Sequence, residues 1–66
     1  MNWDQVEANW KNVKGQLRQK WGKLTDDDLE QAKGRREQIV AAIQRRYGDK
    51  REAIEGQVDQ AIAKLQ

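Results

Sequence analysis

The spacing of the apolar residues constrains the fold most, because they recur every three or four positions. A side chain returns to the same face of an α-helix at that interval, so the spacing predicts amphipathic helices. The chain has no proline to interrupt them and is rich in helix-forming alanine, glutamine, lysine, arginine and glutamate. The first apolar series is Trp3, Val6, Trp10, Val13, Leu17, Trp21 and Leu24.

Helix ends are predicted from glycines and from residues that cap helices. The first helix is expected to end near Trp21, with Gly22 as its left-handed C-cap. A short second helix runs to Gly34, and a third covers about 35–47 and stops at Gly48. Asp49 is expected to cap the fourth helix, with Glu52 three residues later completing a capping box. The sequence therefore predicts an all-α fold of four short helices.

The expected core contains one apolar series from each helix. Trp10 and Trp21 are expected to fill core volume in a chain without phenylalanine, whereas Trp3 is expected to be partly exposed. Ala32, Val40 and Ala42 lie beside these series. The predicted core is Val6 or Trp10, Val13, Leu17, Trp21, Leu24, Leu29, Ile39, Ile43, Tyr47, Ile54, Val58 and Ile62.

Three consecutive aspartates, Asp26, Asp27 and Asp28, follow Thr25 and invite comparison with a cation site. Calcium loops place acidic ligands at alternate positions, and consecutive helical residues project about 100° apart, so the triplet suits such a site poorly. Thr25 instead fits an N-cap, and Asp28 is placed to complete a capping box. All three carboxylates would lie at the positive end of the helix dipole. We predict a helix start and no metal site.

Composition removes several classes of enzyme. The 66 residues include no cysteine, histidine or serine, so nucleophile–histidine pairs and zinc-hydrolase sites cannot form. We expect no catalytic residue and no cofactor. The length fits a single domain over 1–66. No apolar run approaches the roughly 20 residues that span a bilayer, and the acidic, polar start does not resemble a secretory signal, so we expect a cytoplasmic monomer.

The charged residues allow two interpretations, a solvated surface with ion pairs between helices and a weak binding surface for an anionic partner. Their balance alternates, with basic residues dominating 1–24 and 35–48 and acidic residues dominating 25–34 and 49–66. This pattern favours a solvated surface with ion pairs between helices, but it also permits weak, non-specific contacts to nucleic acid or an acidic partner. Tryptophans among lysines could stack on bases. The candidate contact residues are Lys11, Lys14, Arg18, Arg35, Arg36, Arg45 and Arg46.

A third hypothesis concerns the first and last helices. Their amphipathic faces could lie on an anionic membrane surface or fold only on binding. No phosphate-binding loop or dinucleotide fingerprint is present. A helix–hairpin–helix DNA motif would need two glycines where "RYGDKRE" has only one.

Residues 9–58 resemble the CsbD-like family of small bacterial general stress-response proteins. The resemblance is carried by "NWK" with a following "KG", by "WGKLTDDDL", and by "IQRRYG" with a final K-x-x-A. It implies four helices packed as two hairpins, a SAM-domain-like orthogonal bundle, and induction in general stress. Our leading hypothesis is an interaction or protective role, with an unknown protein partner. The resemblance supplies no catalytic residues. The tail "DQAIAKLQ" differs from the aromatic-rich ends of some relatives.

Overall fold

A computed structural model describes residues 1–65, and within this range the chain forms five α-helices and no strand. The principal extents are 28 × 23 × 18 Å. The all-α prediction is confirmed, but the predicted number of helices is wrong. The helices are α1 Trp3–Ala8, α2 Trp10–Lys20, α3 Asp26–Ala32, α4 Arg36–Tyr47 and α5 Arg51–Lys64.

The additional helix results from a one-residue break at Asn9. This residue has φ −109° and ψ 25°, outside the usual helical range, and its side-chain amide donates to the carbonyl of Gln5 at 3.1 Å. Its own carbonyl accepts from Val13 N–H at 3.0 Å and so starts α2 directly. Because only one residue separates α1 from α2, the apolar spacing continues across the break.

The start of α3 confirms the predicted capping box. Thr25 Oγ1 accepts from the backbone N–H of Asp28 at 3.1 Å, and an Asp28 carboxylate oxygen accepts from the N–H of Thr25 at 3.1 Å. A second capping box, formed by Asn2 and Gln5, begins α1. Each capping box provides acceptors for two backbone N–H groups that would otherwise lack a partner at the start of the helix.

Two other predicted helix caps are wrong. Helix α2 ends near Trp21 as predicted, but its C-cap is Trp21 itself, whose φ of −117° and ψ of 79° are not left-handed, and Gly22 has no positive φ. The following turn is closed instead by Leu24 N–H donating to the carbonyl of Trp21. Helix α5 begins one residue later than expected, with extended Lys50 at its N-cap. Asp49 and Glu52 are therefore out of register for a capping box.

The turn between α3 and α4 requires a glycine at Gly34. Lys33 ends α3 in the left-handed region with φ 55°, and Gly34 follows with φ 80°. A Cβ on Gly34 would lie 2.9 Å from the Cα of Glu7 in α1, which is closer than real Cβ contacts. The glycine therefore allows both the turn and the close approach of α1. Gly48, with φ 73°, ends α4 as predicted.

The core matches the prediction closely, with two differences. Tyr47 is only partly buried, because its hydroxyl reaches the surface and accepts from Lys23 N–H at 3.1 Å. Trp10 is half-buried for a similar reason, described below, while Val6 is fully buried. Each helix contributes to the core, whose members are Val6, Val13, Leu17, Trp21, Leu24, Leu29, Ala32, Ile39, Val40, Ala42, Ile43, Ile54, Val58 and Ile62.

The most extensive helix contacts are between three pairs of helices that are adjacent in the chain. Helix α3 packs on α4, α4 packs on α5, and α1 contacts α2. None of the helices over residues 1–65 has the length and apolar character needed to cross a membrane. The SAM-domain-like arrangement implied by the resemblance is not confirmed and stays a prediction.

Candidate functional site

Five of the seven basic residues predicted as contacts form ion pairs within the protein. These pairs join different elements, so the five side chains are distributed among several helix contacts. Lys11 and Arg45 have no ion pair with any residue in the range 1–65. The pairs are Lys14–Glu30, Arg18–Asp26 at 2.9 Å, Arg35–Glu7 at 3.8 Å, Arg36–Asp59 at 2.8 Å and Arg46–Asp28 at 2.9 Å.

Asp28 is the one buried charged residue among those described, with 9% of its surface exposed. Its two carboxylate oxygens accept from Nε and Nη2 of Arg46 at 2.9 and 3.2 Å, while one also accepts from Thr25 N–H. The hydrogen bonds from Arg46 and Thr25 outweigh the cost of burial and lower the pKa of Asp28 to about 2. The same pairing raises the pKa of Arg46. This pair fixes the start of α3 to the end of α4.

Arg36 forms a second charged cluster, between α4 and α5. Its guanidinium donates through Nε and Nη2 to the two oxygens of Asp59 at 2.8 and 3.0 Å, and through Nη1 to Glu55 at 3.3 Å. The hydrogen bonds to Asp59 are the main reason why the pKa of Arg36 is raised and that of Asp59 lowered. Arg51 lies 3.6 Å from Glu55 on the same helix. The cluster holds the two helices together.

The tryptophans serve mainly in packing. Trp21 is buried. The indole N–H of half-buried Trp10 donates to the carbonyl of Leu29 at 2.9 Å and connects α2 to α3. Trp3 is partly buried against the core, as expected. Stacking of Trp10 or Trp21 on a nucleic-acid base would require their present contacts to be broken.

The side chains of the three consecutive aspartates lie in different surroundings. Asp26 pairs with Arg18 on α2, Asp28 pairs with Arg46 on α4, and Asp27 is exposed. Among residues 1–65, no three histidine, cysteine, aspartate or glutamate side chains lie close enough to hold a metal ion. The acidic first turn of α3 therefore has a structural role.

Two adjoining clefts lie on the side of α2 that faces away from α3. The larger, of about 710 Å³, lies between α1, α2 and Leu65, and its walls carry the amides of Gln5, Asn9, Asn12 and Gln16. The smaller, of about 360 Å³, lies between α2 and α5 and is bordered by Lys20 and Lys64. Gln16 and Leu65 line both clefts, so the two form one continuous surface.

Comparison of the sequence with known protein families identifies the family of this chain. A family model described as CsbD-like matches residues 4–56, which is most of the chain. The chain belongs to the CsbD-like family. The resemblance carried by the tryptophan–glycine and triple-aspartate segment is thereby confirmed.

The bacterial relatives of this CsbD-like chain named here are similar to it over more than four-fifths of their length. A UPF0337 protein of Pectobacterium atrosepticum is 53% identical over 88% of this chain and 84% of its own. One of Protochlamydia amoebophila is 51% identical over 83% of both chains. The UPF0337 protein YjbJ of Escherichia coli K12 is 47% identical over 88% of this chain and 84% of its own. No solved structure matches the chain significantly.

Sequence reasoning missed the features of this CsbD-like structure that depend on tertiary packing. The Asp28–Arg46 and Arg36–Asp59 pairs join residues 18 and 23 positions apart, which local spacing cannot reveal. One signal for the clefts was present in the sequence. Amides recur at helical spacing at Gln5, Asn9, Asn12, Gln16 and Gln19, on a chain whose other polar positions are mostly charged.

Proposed function

We propose that this CsbD-like chain is a stress-response protein of the cytoplasm that acts by binding or protecting other macromolecules and catalyses no reaction. The proposal combines the family membership with one observation about the charged groups. Every resolved pKa shift moves its group away from neutral pH.

The direction of these shifts supports a structural use of charge. General acids and bases work best when their pKa lies near the operating pH, and active sites commonly shift pKa values in that direction. Here Asp28 and Asp59 are shifted to lower pKa, and Arg36 and Arg46 to higher pKa, by pairing with one another across helix contacts. Such groups stay ionised and hold the fold together.

The described surface also suits a protein that works in contact with others. Within residues 1–65, no large hydrophobic side chain is exposed, and charges of both signs are interspersed. A surface of that kind resists self-association and keeps a small protein dispersed at high concentration. Specific contacts would then depend on the clefts and on the cations without an internal partner.

Sedimentation in cell extract tests the binding role. Because the chain has no cysteine, Glu37→Cys at an exposed position provides a single site for a fluorescent dye. We expect the labelled protein to sediment as a small species in buffer and faster in extract from stressed bacteria. A dye-labelled protein of similar size from another fold is the control.

A light-scattering assay tests the protective role. A thermolabile enzyme is heated with the CsbD-like protein or with an equal mass of lysozyme, and we expect slower aggregation only with the former. Unchanged sedimentation in extracts from both stressed and unstressed cells, together with no effect on aggregation, would refute the proposal.

Weak nucleic-acid binding is the alternative, and its salt dependence can be predicted from the structure. The logarithm of the affinity for duplex DNA falls with the logarithm of salt concentration by about 0.9 per phosphate contact. If only Lys11 and Arg45 contact phosphates, the slope is about −2, whereas release of the other five predicted residues from their ion pairs would allow seven contacts and a slope of about −6. No change in the anisotropy of labelled DNA or RNA at about 50 mM salt would exclude the alternative.

A further inference from the structure

The cleft between α2 and α5 differs in its charges from the contacts that join α2 with α3, α3 with α4 and α4 with α5. Ion pairs connect α2 with α3, α3 with α4, and α4 with α5. The α2–α5 cleft instead has a lysine on each wall, Lys20 and Lys64, and neither forms an ion pair with a residue in the range 1–65. No carboxylate is among the residues that line either cleft.

Two like charges that share a cleft attract an anion from outside. The ammonium of Lys20 lies 5.3 Å from the centre of the Trp21 ring, which restrains it at the end of α2. Leu17, Ala61 and Leu65 line the same cleft as the two lysines. The cleft therefore suits a ligand in which a negatively charged group lies next to an apolar group.

The adjoining amide-lined cleft extends this surface along α2. Asn12, Gln16 and Gln19 form no side-chain hydrogen bond with another described residue, so their amides are free to donate and to accept. These are the complementary groups for the N–H and C=O of a peptide main chain. From Asn9 to Lys20 the helix rises about 16 Å, which equals about five residues of extended chain.

We propose that the joined clefts bind a short, extended acidic peptide segment of another protein. An acidic side chain lies between Lys20 and Lys64, an apolar side chain lies over Leu17 and Ala61, and the main chain bonds to the amides of Asn12 and Gln16. The inference rests on the proposed binding role and assigns it a site and a partner chemistry.

The shape and lining favour a peptide over other anionic ligands. A fatty acid is held best when apolar walls surround most of its tail, as in typical small-molecule pockets. Here the larger of the two clefts carries four amides on its walls. A nucleic acid would present a phosphate at every residue, whereas only two lysines border this surface.

Fluorescence anisotropy with a defined probe tests the proposal. The probe is a fluorescein-labelled peptide, Glu-Leu-Asp-Leu-Glu with blocked ends, measured at about 50 mM salt, where exposed charges are less screened. The double variant Lys20→Gln with Lys64→Gln is compared with Lys11→Gln with Arg45→Gln. Both variants remove two exposed cations that form no ion pair with residues 1–65, so the net charge changes equally.

We expect the first double variant to weaken binding by about fivefold to tenfold, which is about 1–1.4 kcal/mol for the two ion pairs together, because exposed ion pairs are individually weak. The Lys11 and Arg45 variant should change binding by less than about twofold. A third variant, Asn12→Ala with Gln16→Ala, keeps the charge and should also weaken binding. Circular dichroism melts confirm that each variant is folded.

Several results would overturn the proposal. The first two are that the probe does not bind, or that the two charge variants lose affinity for it equally. The third is that a peptide with glutamine and asparagine in place of its acidic residues binds as well as the probe. The fourth is that laurate binds but the peptide does not. If the probe fails to bind and sedimentation in extract still shows a complex, the cleft is wrong and the binding role stands. If both measurements fail, the binding role fails as well.

Discussion

Replacing Asp28 by asparagine tests whether the buried carboxylate joins α3 to α4. The substitution keeps the size of the side chain and removes its charge, so Arg46 loses an ionic partner and the hydrogen bond that the carboxylate accepts from Thr25 N–H is weakened. Asp27→Asn is a matched control, because Asp27 is the exposed neighbour in the same helical turn and forms no ion pair among residues 1–65.

The pKa of Asp28 sets the size of the expected effect. It falls from 3.8 to about 2 on folding. At about 1.4 kcal/mol per unit, the ionised carboxylate stabilises the fold by at most about 2.5 kcal/mol. Arg46 is 44% exposed, so solvent screens the pair, and we expect Asp28→Asn to cost about 1–2 kcal/mol. That is a large part of the roughly 3–10 kcal/mol typical of a chain this long.

The pH dependence follows from the lowered pKa. The unfolded state takes up a proton on Asp28 at higher pH than the folded state does, so this contribution is complete above about pH 4. It is lost as the pH falls through the folded-state pKa of about 2. The difference in stability between wild type and Asp28→Asn should therefore shrink steadily between pH 4 and pH 2.

Urea unfolding followed by circular dichroism at 222 nm measures this difference at several pH values. The control Asp27→Asn should lose well under 1 kcal/mol, through the helix dipole alone. Equal losses in the two variants at pH 7, or a gap between wild type and Asp28→Asn that does not change down to pH 2, would refute the reasoning.

Three further predictions use the same unfolding measurement. Gly34→Ala should cost about 1–3 kcal/mol, because Gly34 has a positive φ and the backbone of α1 lies beside it. Gly56→Ala should instead stabilise the protein by up to about 1 kcal/mol, because Gly56 lies inside α5 with open space around it. Similar changes in stability for the two variants would contradict the role given to Gly34. Trp10→Phe should cost about 0.5–1.5 kcal/mol, since the Leu29 carbonyl loses the indole donor and keeps only Lys33 N–H at 3.3 Å, and no loss would show that the indole hydrogen bond does not stabilise the fold. Arg36→Gln should destabilise more than Arg45→Gln, because only Arg36 bridges α4 and α5, and the opposite order would exclude that bridge.

The helices and most of the core could be predicted because they depend on local spacing. Burial of one helix face repeats every three or four residues, and Ile39, Ile43, Ile54 and Val58 follow that rule. The Thr25 capping box was predictable for the same reason, since its partners are three residues apart. The segment charges also indicated attraction between neighbouring helices, although not which residues would pair.

Features that depend on one backbone angle or on distant residues could not be predicted. The break at Asn9 leaves the apolar spacing intact, so nothing in the pattern separates α1 from α2. Capping at Asp49 failed because the turn after Gly48 is one residue longer than the capping pattern needs. The lysine-bordered cleft exists only because α5 passes α2, which brings Lys20 and Lys64 to one cleft although 44 positions separate them in the chain.

A proton–nitrogen correlation spectrum of the isotope-labelled protein, titrated with fractions of bacterial extract, tests the central claim that this folded domain acts by binding. We predict that one fraction shifts the amide signals of residues 12–20 and 61–65, while signals from the α3–α4 contact stay in place. Unchanged spectra with every fraction, from stressed and unstressed cells alike, would contradict the claim.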